Sequence, residues 1–184
     1  MIHADHVALL RPAELLQGGV WADLGSGTGA FTLALRELVG PDAEIYAADQ
    51  HQTSLSEMLN AFKRKFGNTD RMHTLTADFS KPLDLPALDG LLMANSIHYY
   101  KDKVKILKQL KKHITSNGML LVVEYNVDKG NPWVPYPVSY DTFHSLALDS
   151  GFSDPRLLAT HPSSFLREFY SASASAGIAR DQNS

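Results

Sequence analysis

An acidic residue and three glycines at alternate positions lie between an apolar stretch and a helix-forming stretch. The segment reads Val20-Trp21-Ala22-Asp23-Leu24-Gly25-Ser26-Gly27-Thr28-Gly29-Ala30-Phe31. Glycine is needed where the backbone turns sharply or approaches a ligand closely, because a Cβ would clash there. The helix that follows directs its free N–H groups and the positive end of its dipole at the turn. Strand, glycine turn and helix together predict a nucleotide-cofactor site.

Two further acids follow apolar stretches that are typical of strands. Asp49 lies 20 residues after Gly29 and 24 after Gly25. A carboxylate at the end of a second strand can accept two hydrogen bonds from a ribose diol, so Asp49 and its neighbour Gln50 are predicted cofactor residues. Asp78 follows the third such stretch and precedes Phe79. An aspartate that only begins a loop is the alternative interpretation of Asp78.

The segment Asn95-Ser96-Ile97-His98-Tyr99-Tyr100 contains the candidate catalytic residues. A histidine can be neutral near physiological pH, so His98 could act as a general base on an acceptor that must lose a proton. A histidine that packs and hydrogen-bonds to backbone is the alternative. Asn95 could orient cofactor or substrate. Tyr99 and Tyr100 could stack on either, and one of the two is expected to pack into the fold.

An aromatic and proline-rich loop follows the fifth predicted strand. It reads Asn131-Pro132-Trp133-Val134-Pro135-Tyr136-Pro137. Functional loops gather at the carboxyl edge of a parallel sheet, so Trp133, Tyr136 and Tyr140 are predicted to wall a substrate pocket. A hydrophobic plug over the sheet edge is the equally weighted alternative.

The elements that must position these residues alternate between strand and helix patterns. The predicted strands are about Gly19–Leu24, Glu44–Ala48, Met72–Ala77, Leu88–Ala94 and Met119–Tyr125, with a closing hairpin of Pro155–His161 and Ser164–Ala172. The predicted helices are Asp5–Leu16, broken near Pro12, then Gly29–Val39, Ser54–Phe66, Lys101–His113 and Ser139–Ser150. Ser54 and Glu57 have capping-box spacing, and Ser116-Asn117-Gly118 is predicted to be a turn. This order predicts a doubly wound α/β sheet.

The glycine spacing distinguishes between two classes of cofactor. A dinucleotide fingerprint, G-x-G-x-x-G, would place its third glycine at position 30, where the chain has Ala30. The pattern here is D-x-G-x-G-x-G, which resembles motif I of the class I S-adenosylmethionine-dependent methyltransferases. The segment from Asn95 to Tyr99 looks like the N-x-L-H-aromatic stretch of many small-molecule methyltransferases. The Asn/Asp-Pro-Pro-aromatic motif of DNA and many protein-glutamine enzymes is missing.

The resemblance implies the fold, the cofactor and the role of each motif. It implies a Rossmann-like, seven-stranded, mostly parallel sheet in the order 3-2-1-4-5-7-6 with an antiparallel last strand. It also implies that S-adenosylmethionine binds with its methionine part on the glycine turn, its ribose on Asp49 and its adenine against Asp78 and Phe79. The turn residues of this set are Asp23, Gly25, Ser26, Gly27 and Gly29. The domain is expected to span residues 1–172, and residues 173–184 are expected to be a disordered tail.

Composition limits the remaining classes of function. The 184 residues carry a formal net charge of −3 and contain no cysteine, which excludes disulfides, a thiolate nucleophile and cysteine-bound clusters. No apolar run approaches the roughly 20 residues of a membrane span, and no signal-peptide pattern is present, so a cytoplasmic location is expected. Nucleic acid is not an expected partner because the six lysines between Lys101 and Lys112 are predicted to be a solvated helix face.

Three hypotheses of function remain open at this level. The first is an S-adenosylmethionine-dependent methyltransferase that acts on a small molecule without a metal. The second is an NAD(P)-dependent oxidoreductase, since the dinucleotide fingerprint also occurs with alanine at its last position. The third is a non-catalytic, cofactor-binding regulatory subunit, which the short stretch before the first strand favours. A homodimer is also predicted, in which a second chain would cover the cofactor pocket that the short first stretch cannot cover.

Overall fold

A computed structural model describes residues 1–177, which form seven strands in one sheet. The strands are β1 Val20–Leu24, β2 Glu44–Asp49, β3 Met72–Thr76, β4 Leu88–Ala94, β5 Ile114–Tyr125, β6 Ser153–Ser163 and β7 Arg167–Ser175. Their order is β3-β2-β1-β4-β5-β7-β6. β1 to β5 pair in parallel, whereas β7 pairs antiparallel with β5 and β6. The predicted sheet and strand order are confirmed.

Helices cover both faces of this sheet. They are α1 His3–Leu10, α2 Ala30–Val39, α3 Gln52–Phe66, α4 Lys103–Lys111 and α5 Tyr140–Asp149, with 3-10 turns at Arg11–Ala13 and Ile97–Tyr99. The apolar residues of α1, α2 and α3 pack in one core cluster, and those of α4 and α5 pack in a second. The central strand β4 is therefore buried on both sides, which explains its nearly continuous apolar sequence.

The carboxyl ends of four parallel strands bring the predicted site residues together. The glycine turn follows β1, Asp49 ends β2, Asp78 follows β3 and Asn95 follows β4. In an open parallel sheet these ends lie at one edge, and the crevice there is the usual binding place for ligands. The fold thus converts four separated sequence segments into one site.

Two local predictions were wrong for identifiable reasons. α3 begins at Gln52 with His51 as its N-cap, and no side chain caps it. Ser54 and Glu57 lie inside the helix, so their spacing does not mark its start. The chain also stays extended through Ser116-Asn117-Gly118, because these residues form an irregularity inside β5 where the register against β4 shifts. Position 118 requires a glycine, because the Cβ of any other residue would lie only 2.9 Å from the Asp89 carbonyl oxygen.

The end of the chain also differs from the predicted boundary. Residues 173–175 belong to β7, where Ser173 and Ser175 pair with Leu121 and Met119 of β5. The domain therefore extends beyond residue 172, because the closing strand is longer than its apolar pattern indicates. The rest of the predicted tail, from residue 178 onward, lies outside the described residues.

Candidate cofactor and acceptor site

The three glycines of the turn between β1 and α2 serve different purposes. Gly25, Gly27 and Gly29 have φ values of 77°, 53° and 90°. A Cβ on Gly25 would collide with Ser96, and a Cβ on Gly29 would collide with Met58 of α3. A Cβ on Gly27 would meet no atom of residues 1–177 within 4 Å. Gly25 and Gly29 therefore permit close packing, whereas Gly27 faces space that a ligand can occupy.

Asp49 is hydrogen-bonded to the same turn. Its Oδ2 accepts a 2.9 Å hydrogen bond from the N–H of Gly27, and its Oδ1 accepts a 2.8 Å bond from the N–H of His51. Each carboxylate oxygen can accept a further bond. Asp49 lines a cavity together with Gln50, so the structure places both residues where a ribose-binding pair is predicted.

Two cavities adjoin over the glycine turn. The larger has a volume of about 410 Å³ and is lined by Gly25, Asp49, Gln50, His51, Ala77, Phe79, Asn95, Ser96, Tyr99 and Tyr100. The smaller has a volume of about 250 Å³ and lies against Asp23, Ser26, Gly27 and the start of α2. Both cavities share Gly25 and Asn95. An elongated ligand could therefore extend from one cavity into the other.

The smaller cavity has buried oxygens without partners. Asp23 Oδ1, Ser26 Oγ and Asn95 Oδ1 are buried and have no hydrogen-bond partner in the described part of the chain. Unpaired buried polar atoms are unfavourable. Three such oxygens around one cavity suit a ligand that brings several N–H donors, as an ammonium group does.

Asp23 is an unusual acid because it is almost completely buried. It is 1% exposed, and its Oδ2 accepts a 2.6 Å hydrogen bond from the hydroxyl of Thr32. Burial raises the pKa of Asp23 to about 7; the bond from Thr32 opposes this shift and the charge of Asp49 adds to it. A nearby cation would favour the ionised form of this carboxyl.

Asp78 lies between two residues that line the larger cavity, Ala77 and Phe79, and is hydrogen-bonded to a third, Tyr100, but it is not itself a lining residue. Its Oδ1 accepts hydrogen bonds from the N–H and hydroxyl of Ser80, at 2.9 and 2.7 Å, and from the hydroxyl of Tyr100 at 2.9 Å. Burial opposes ionisation, but the bonds from Ser80 and Tyr100 and the charge of Lys81 lower the pKa of Asp78 below its usual value. The adjacent Phe79 is buried and lines the cavity. The apolar ring and the carboxylate thus lie together, as the resemblance implies.

His98 forms a buried pair with Glu124, which the sequence analysis missed. His98 Nδ1 lies 2.7 Å from Glu124 Oε2, and the two side chains are 3% and 0% exposed. His98 Nε2 has no hydrogen-bond partner among residues 1–177. The carboxylate therefore orients the imidazole through one nitrogen and leaves the other uncommitted. The available signal was a single acid in an otherwise apolar strand, because such an acid needs a buried partner.

Lys103 corrects the prediction of a fully solvated lysine face on α4. The side chain is buried, its Nζ donates a 2.6 Å hydrogen bond to the carbonyl of Tyr100, and it lies 5.5 Å from the ring centre of Tyr136. Burial lowers the pKa of Lys103, and the charge of Glu124 partly opposes this. Lys103 thus contacts both loops beside the His98–Glu124 pair.

The predicted acceptor residues divide into two groups. Tyr99, Trp133 and Tyr136 are exposed, and two of them lie against His98: the Tyr99 ring centre lies 4.3 Å from that of His98, and the Tyr136 N–H donates to the His98 carbonyl at 3.0 Å. Tyr140 instead packs against Tyr170 and donates to the carbonyl of Pro155 at 3.3 Å. Of the four predicted acceptor residues, Tyr99 lines the larger cavity, whereas Trp133, Tyr136 and Tyr140 line neither of the two cavities.

Phe165, at the turn between β6 and β7, is a further exposed aromatic residue near Trp133 that was not predicted from the sequence. It is exposed, and its ring centre lies 6.3 Å from that of Trp133 and 5.9 Å from that of Tyr125. A single aromatic residue in a hairpin turn carries no sequence signal for a site. Its proximity to Trp133 follows only from the fold.

A comparison with known families matches residues 22–120 to the model of a methyltransferase domain. The chain belongs to the methyltransferase domain family. The resemblance to the class I S-adenosylmethionine-dependent methyltransferases is thereby confirmed, and with it S-adenosylmethionine as the cofactor. The family match also decides against the oxidoreductase hypothesis.

Solved structures share the fold of this methyltransferase domain at low sequence identity. An Aquifex aeolicus SAM-dependent methyltransferase has a TM-score of 0.72 and 22% identity over 92% of this chain and 88% of its own. Human N-acetylserotonin methyltransferase in complex with SAM has a TM-score of 0.69 and 20% identity over 95% of this chain and 52% of its own. A candidate O-methyltransferase from Nostoc punctiforme has a TM-score of 0.76 and 18% identity over 95% and 56%.

The chain therefore spans about half the length of the human and Nostoc proteins. In a sequence comparison, none of the curated proteins matches it significantly. Within residues 1–177, no group of three or more histidine or acidic side chains could hold a metal ion. No helix of that part of the chain has the length and apolarity needed to cross a membrane.

Proposed function

We propose that this methyltransferase domain transfers a methyl group from S-adenosylmethionine to a hydroxyl group of a small molecule. The observation that carries the proposal is the pair of adjoining cavities over the glycine turn, because Tyr99 lines the larger one and its ring lies against His98 of the buried His98–Glu124 pair. The side chains around the two cavities differ in chemistry, and each set fits a different part of the cofactor.

The residues of the cavities fit the cofactor in three places. Asp49 offers carboxylate oxygens to the ribose diol, and Phe79 offers an apolar ring to the adenine. The unpartnered oxygens of Asp23, Ser26 and Asn95 accept hydrogen bonds from the ammonium of the methionine part. The bound cofactor supplies a methyl group on a positively charged sulfur that leaves as a neutral thioether.

His98 is the proposed general base. Its Nε2 is free to accept a proton, while Nδ1 is held by Glu124. During transfer to a bound acceptor, Nε2 would take the proton that the acceptor hydroxyl loses, while the cofactor would supply the methyl group and the thioether leaving group. Glu124 stabilises the imidazolium that results, because its negative charge lies 2.7 Å from the other nitrogen.

The exposed rings beside His98 suit an acceptor with an apolar body. Tyr99 is 59% exposed, lines the larger cavity and has its ring centre 4.3 Å from that of His98, so it connects that cavity to the imidazole, which itself lines neither cavity. Trp133 and Tyr136 lie on the adjoining loop. Apolar bodies bury area against such rings, and the human relative named above acts on N-acetylserotonin.

The experiment is a methyl-transfer assay on a panel of hydroxylated, aminated and thiolated small molecules, followed by mass spectrometry. We expect turnover with a hydroxyl acceptor, and a loss of about hundredfold or more in kcat for His98→Asn and a smaller loss for Glu124→Gln, because the base is removed or misoriented. His144→Asn, at an exposed histidine of α5, is the matched control.

Other outcomes distinguish the alternatives. Turnover with full rates in His98→Asn would contradict the proposed base. Cofactor binding without turnover on the whole panel would favour the regulatory-subunit hypothesis. The predicted homodimer is tested by light scattering, and the predicted cytoplasmic location by imaging of a tagged chain.

A further inference from the structure

A hydrogen-bonded network of three side chains adjoins the larger cavity: Gln50 and Tyr100 line the cavity, and Asp78 lies behind Tyr100. Gln50 Nε2 donates to the hydroxyl of Tyr100 at 3.0 Å, and that hydroxyl donates to Asp78 Oδ1 at 2.9 Å. Gln50 follows β2, Asp78 follows β3, and Tyr100 follows the turn after β4. One tyrosine hydroxyl therefore connects the ends of three strands.

The network uses the two oxygens of Asp78 very differently. Oδ1 accepts three hydrogen bonds, two from Ser80 and one from Tyr100. Oδ2 accepts no hydrogen bond within residues 1–177, and its ion-pair partner there, the Nζ of the exposed Lys81, lies 4.0 Å away. Three donors on one oxygen fix the plane of the carboxylate, so Oδ2 is left as an oriented acceptor.

The aromatic rings define what this acceptor can meet. Phe79 and Tyr100 both line the cavity, and their ring centres are 4.7 Å apart with the rings tilted by 55°. A planar heterocycle that packs on these rings directs its edge, rather than its face, towards residues beyond them. A charged acceptor at that edge favours a heterocycle with an amino group over one with a carbonyl oxygen.

We propose that Tyr100 is a positioning residue that holds Asp78 ready to accept a hydrogen bond from the exocyclic amine of the cofactor's adenine. The inference rests on the proposed function, because it takes an adenosine-containing cofactor in the larger cavity. The inference goes beyond the proposed function because it assigns the selection of adenine over a 6-oxopurine to the Gln50–Tyr100–Asp78 network.

Electrostatics agree with this geometry. Burial raises the pKa of Tyr100 to about 12, and the bond to Asp78 adds to the shift, so the phenol stays a donor. The bond from Tyr100 in turn contributes to the lowered pKa of Asp78. The charged groups that face the pair are Lys81 beside Asp78 and Asp49 beside Tyr100. Removal of the hydroxyl leaves Asp78 easier to protonate and freer to rotate.

The test is calorimetric binding of S-adenosylhomocysteine and S-inosylhomocysteine, which differ at the 6-position of the purine. We expect the wild type to prefer the adenosine compound. Tyr100→Phe should weaken binding of that compound by roughly fivefold, the value of one hydrogen bond. Tyr100→Phe should also reduce the ratio of the affinity for S-adenosylhomocysteine to the affinity for S-inosylhomocysteine. In an Asp78→Asn background, the same change should have almost no further effect.

Two controls separate positioning from a general structural effect. Tyr46→Phe removes a hydroxyl from a β2 tyrosine whose ring stacks on His73 outside the cavity, and it should bind both compounds as the wild type does. Binding of S-adenosylhomocysteine to Tyr100→Phe should also weaken at a higher pH on acidification than in the wild type, because Asp78 has lost a donor.

The outcomes of the two proposals can be told apart. Wild-type binding with an unchanged preference in Tyr100→Phe would overturn the inference and leave the proposed function intact. Equal effects of Tyr100→Phe in the wild-type and Asp78→Asn backgrounds would overturn it too. Failure of the wild type to bind either compound would contradict the proposed function itself.

Discussion

Asp23 is an acid whose pKa changes strongly on folding. Burial raises its pKa from the ordinary 3.8 to about 7. The folded protein therefore retains a proton on Asp23 over a pH range in which the unfolded chain has released it. Stability falls with rising pH wherever the folded state binds more protons than the unfolded state. The stabilising contribution of protonated Asp23 is complete below about pH 4 and is lost as the pH rises towards about 7.

The prediction is that Asp23→Asn removes this part of the pH dependence. From acid to neutral pH, the free energy of unfolding of the cofactor-free wild type should fall by up to about 4 kcal/mol relative to the variant. Urea denaturation at a series of pH values measures the difference. Asp70→Asn, at an exposed acid, should follow the wild type. Parallel curves for the wild type and Asp23→Asn would contradict a buried, protonated Asp23.

Individual side chains were only partly predictable from the sequence. Asp49 and Phe79 reach the cavity as expected, because their positions follow from strand ends. Glu124 and Lys103 were missed because a periodic pattern does not reveal a charge that is buried beside its partner. Tyr140 was predicted beside Tyr136 as a pocket residue, but it begins α5 and its ring centre lies 6.0 Å from that of the buried Tyr170.

At the scale of elements, the turn between β1 and α2 combines packing with ligand access. Gly29 lies against Met58 of α3, so it sets how closely two helices approach. Gly27 has open space where its side chain would be. The two positions are two residues apart and share a positive φ, so they form a matched pair for mutagenesis.

The prediction concerns Gly27→Ala and Gly29→Ala. Gly27→Ala should lower the free energy of unfolding by only about 1–2 kcal/mol, the strain of a left-handed residue, while it weakens cofactor binding by occupying the cavity. Gly29→Ala should destabilise more, because overpacking against Met58 adds about 1–3 kcal/mol. Thermal unfolding with and without S-adenosylhomocysteine separates the two effects. Normal binding by a folded Gly27→Ala would show that the turn does not contact the cofactor.

Element boundaries were predictable where a strong local signal coincided with burial. β4 has the predicted bounds, and Ser139 caps α5 as expected by accepting a hydrogen bond from the N–H of Thr142. The turn predicted at Asn117-Gly118 was wrong, because asparagine–glycine pairs also occur at irregularities inside a strand, and β5 continues through this one. Pairing with β4 and β7 outweighs the local preference for a turn.

At the scale of the whole molecule, strand order could not be derived from periodicity alone. Alternating strands and helices indicate a doubly wound sheet, but the position of β7 between β5 and β6 came from the family resemblance. That order leaves β1 and β4 adjacent at the centre, so the glycine turn faces the loop with Asn95 and Ser96. The shared cavity depends on this adjacency, which no single motif encodes.

The acceptor side depends on contacts that are still more distant in sequence. Trp133 and Phe165 come from different loops and meet only because β6 and β7 fold back along β5. The cavities over the glycine turn were therefore predictable from motifs close to the strands, whereas the cluster of exposed aromatic residues was not.

Calorimetric titration with S-adenosylhomocysteine tests the central claim most directly. We expect saturable binding at one site per chain, and a loss of affinity of about tenfold or more in Asp49→Ala, because a carboxylate that accepts ribose hydrogen bonds is removed. Asp84→Ala, at an exposed acid outside the cavities, should bind as the wild type does. Absence of binding to the folded wild type, or normal binding by Asp49→Ala, would contradict the assignment of the cofactor to this site.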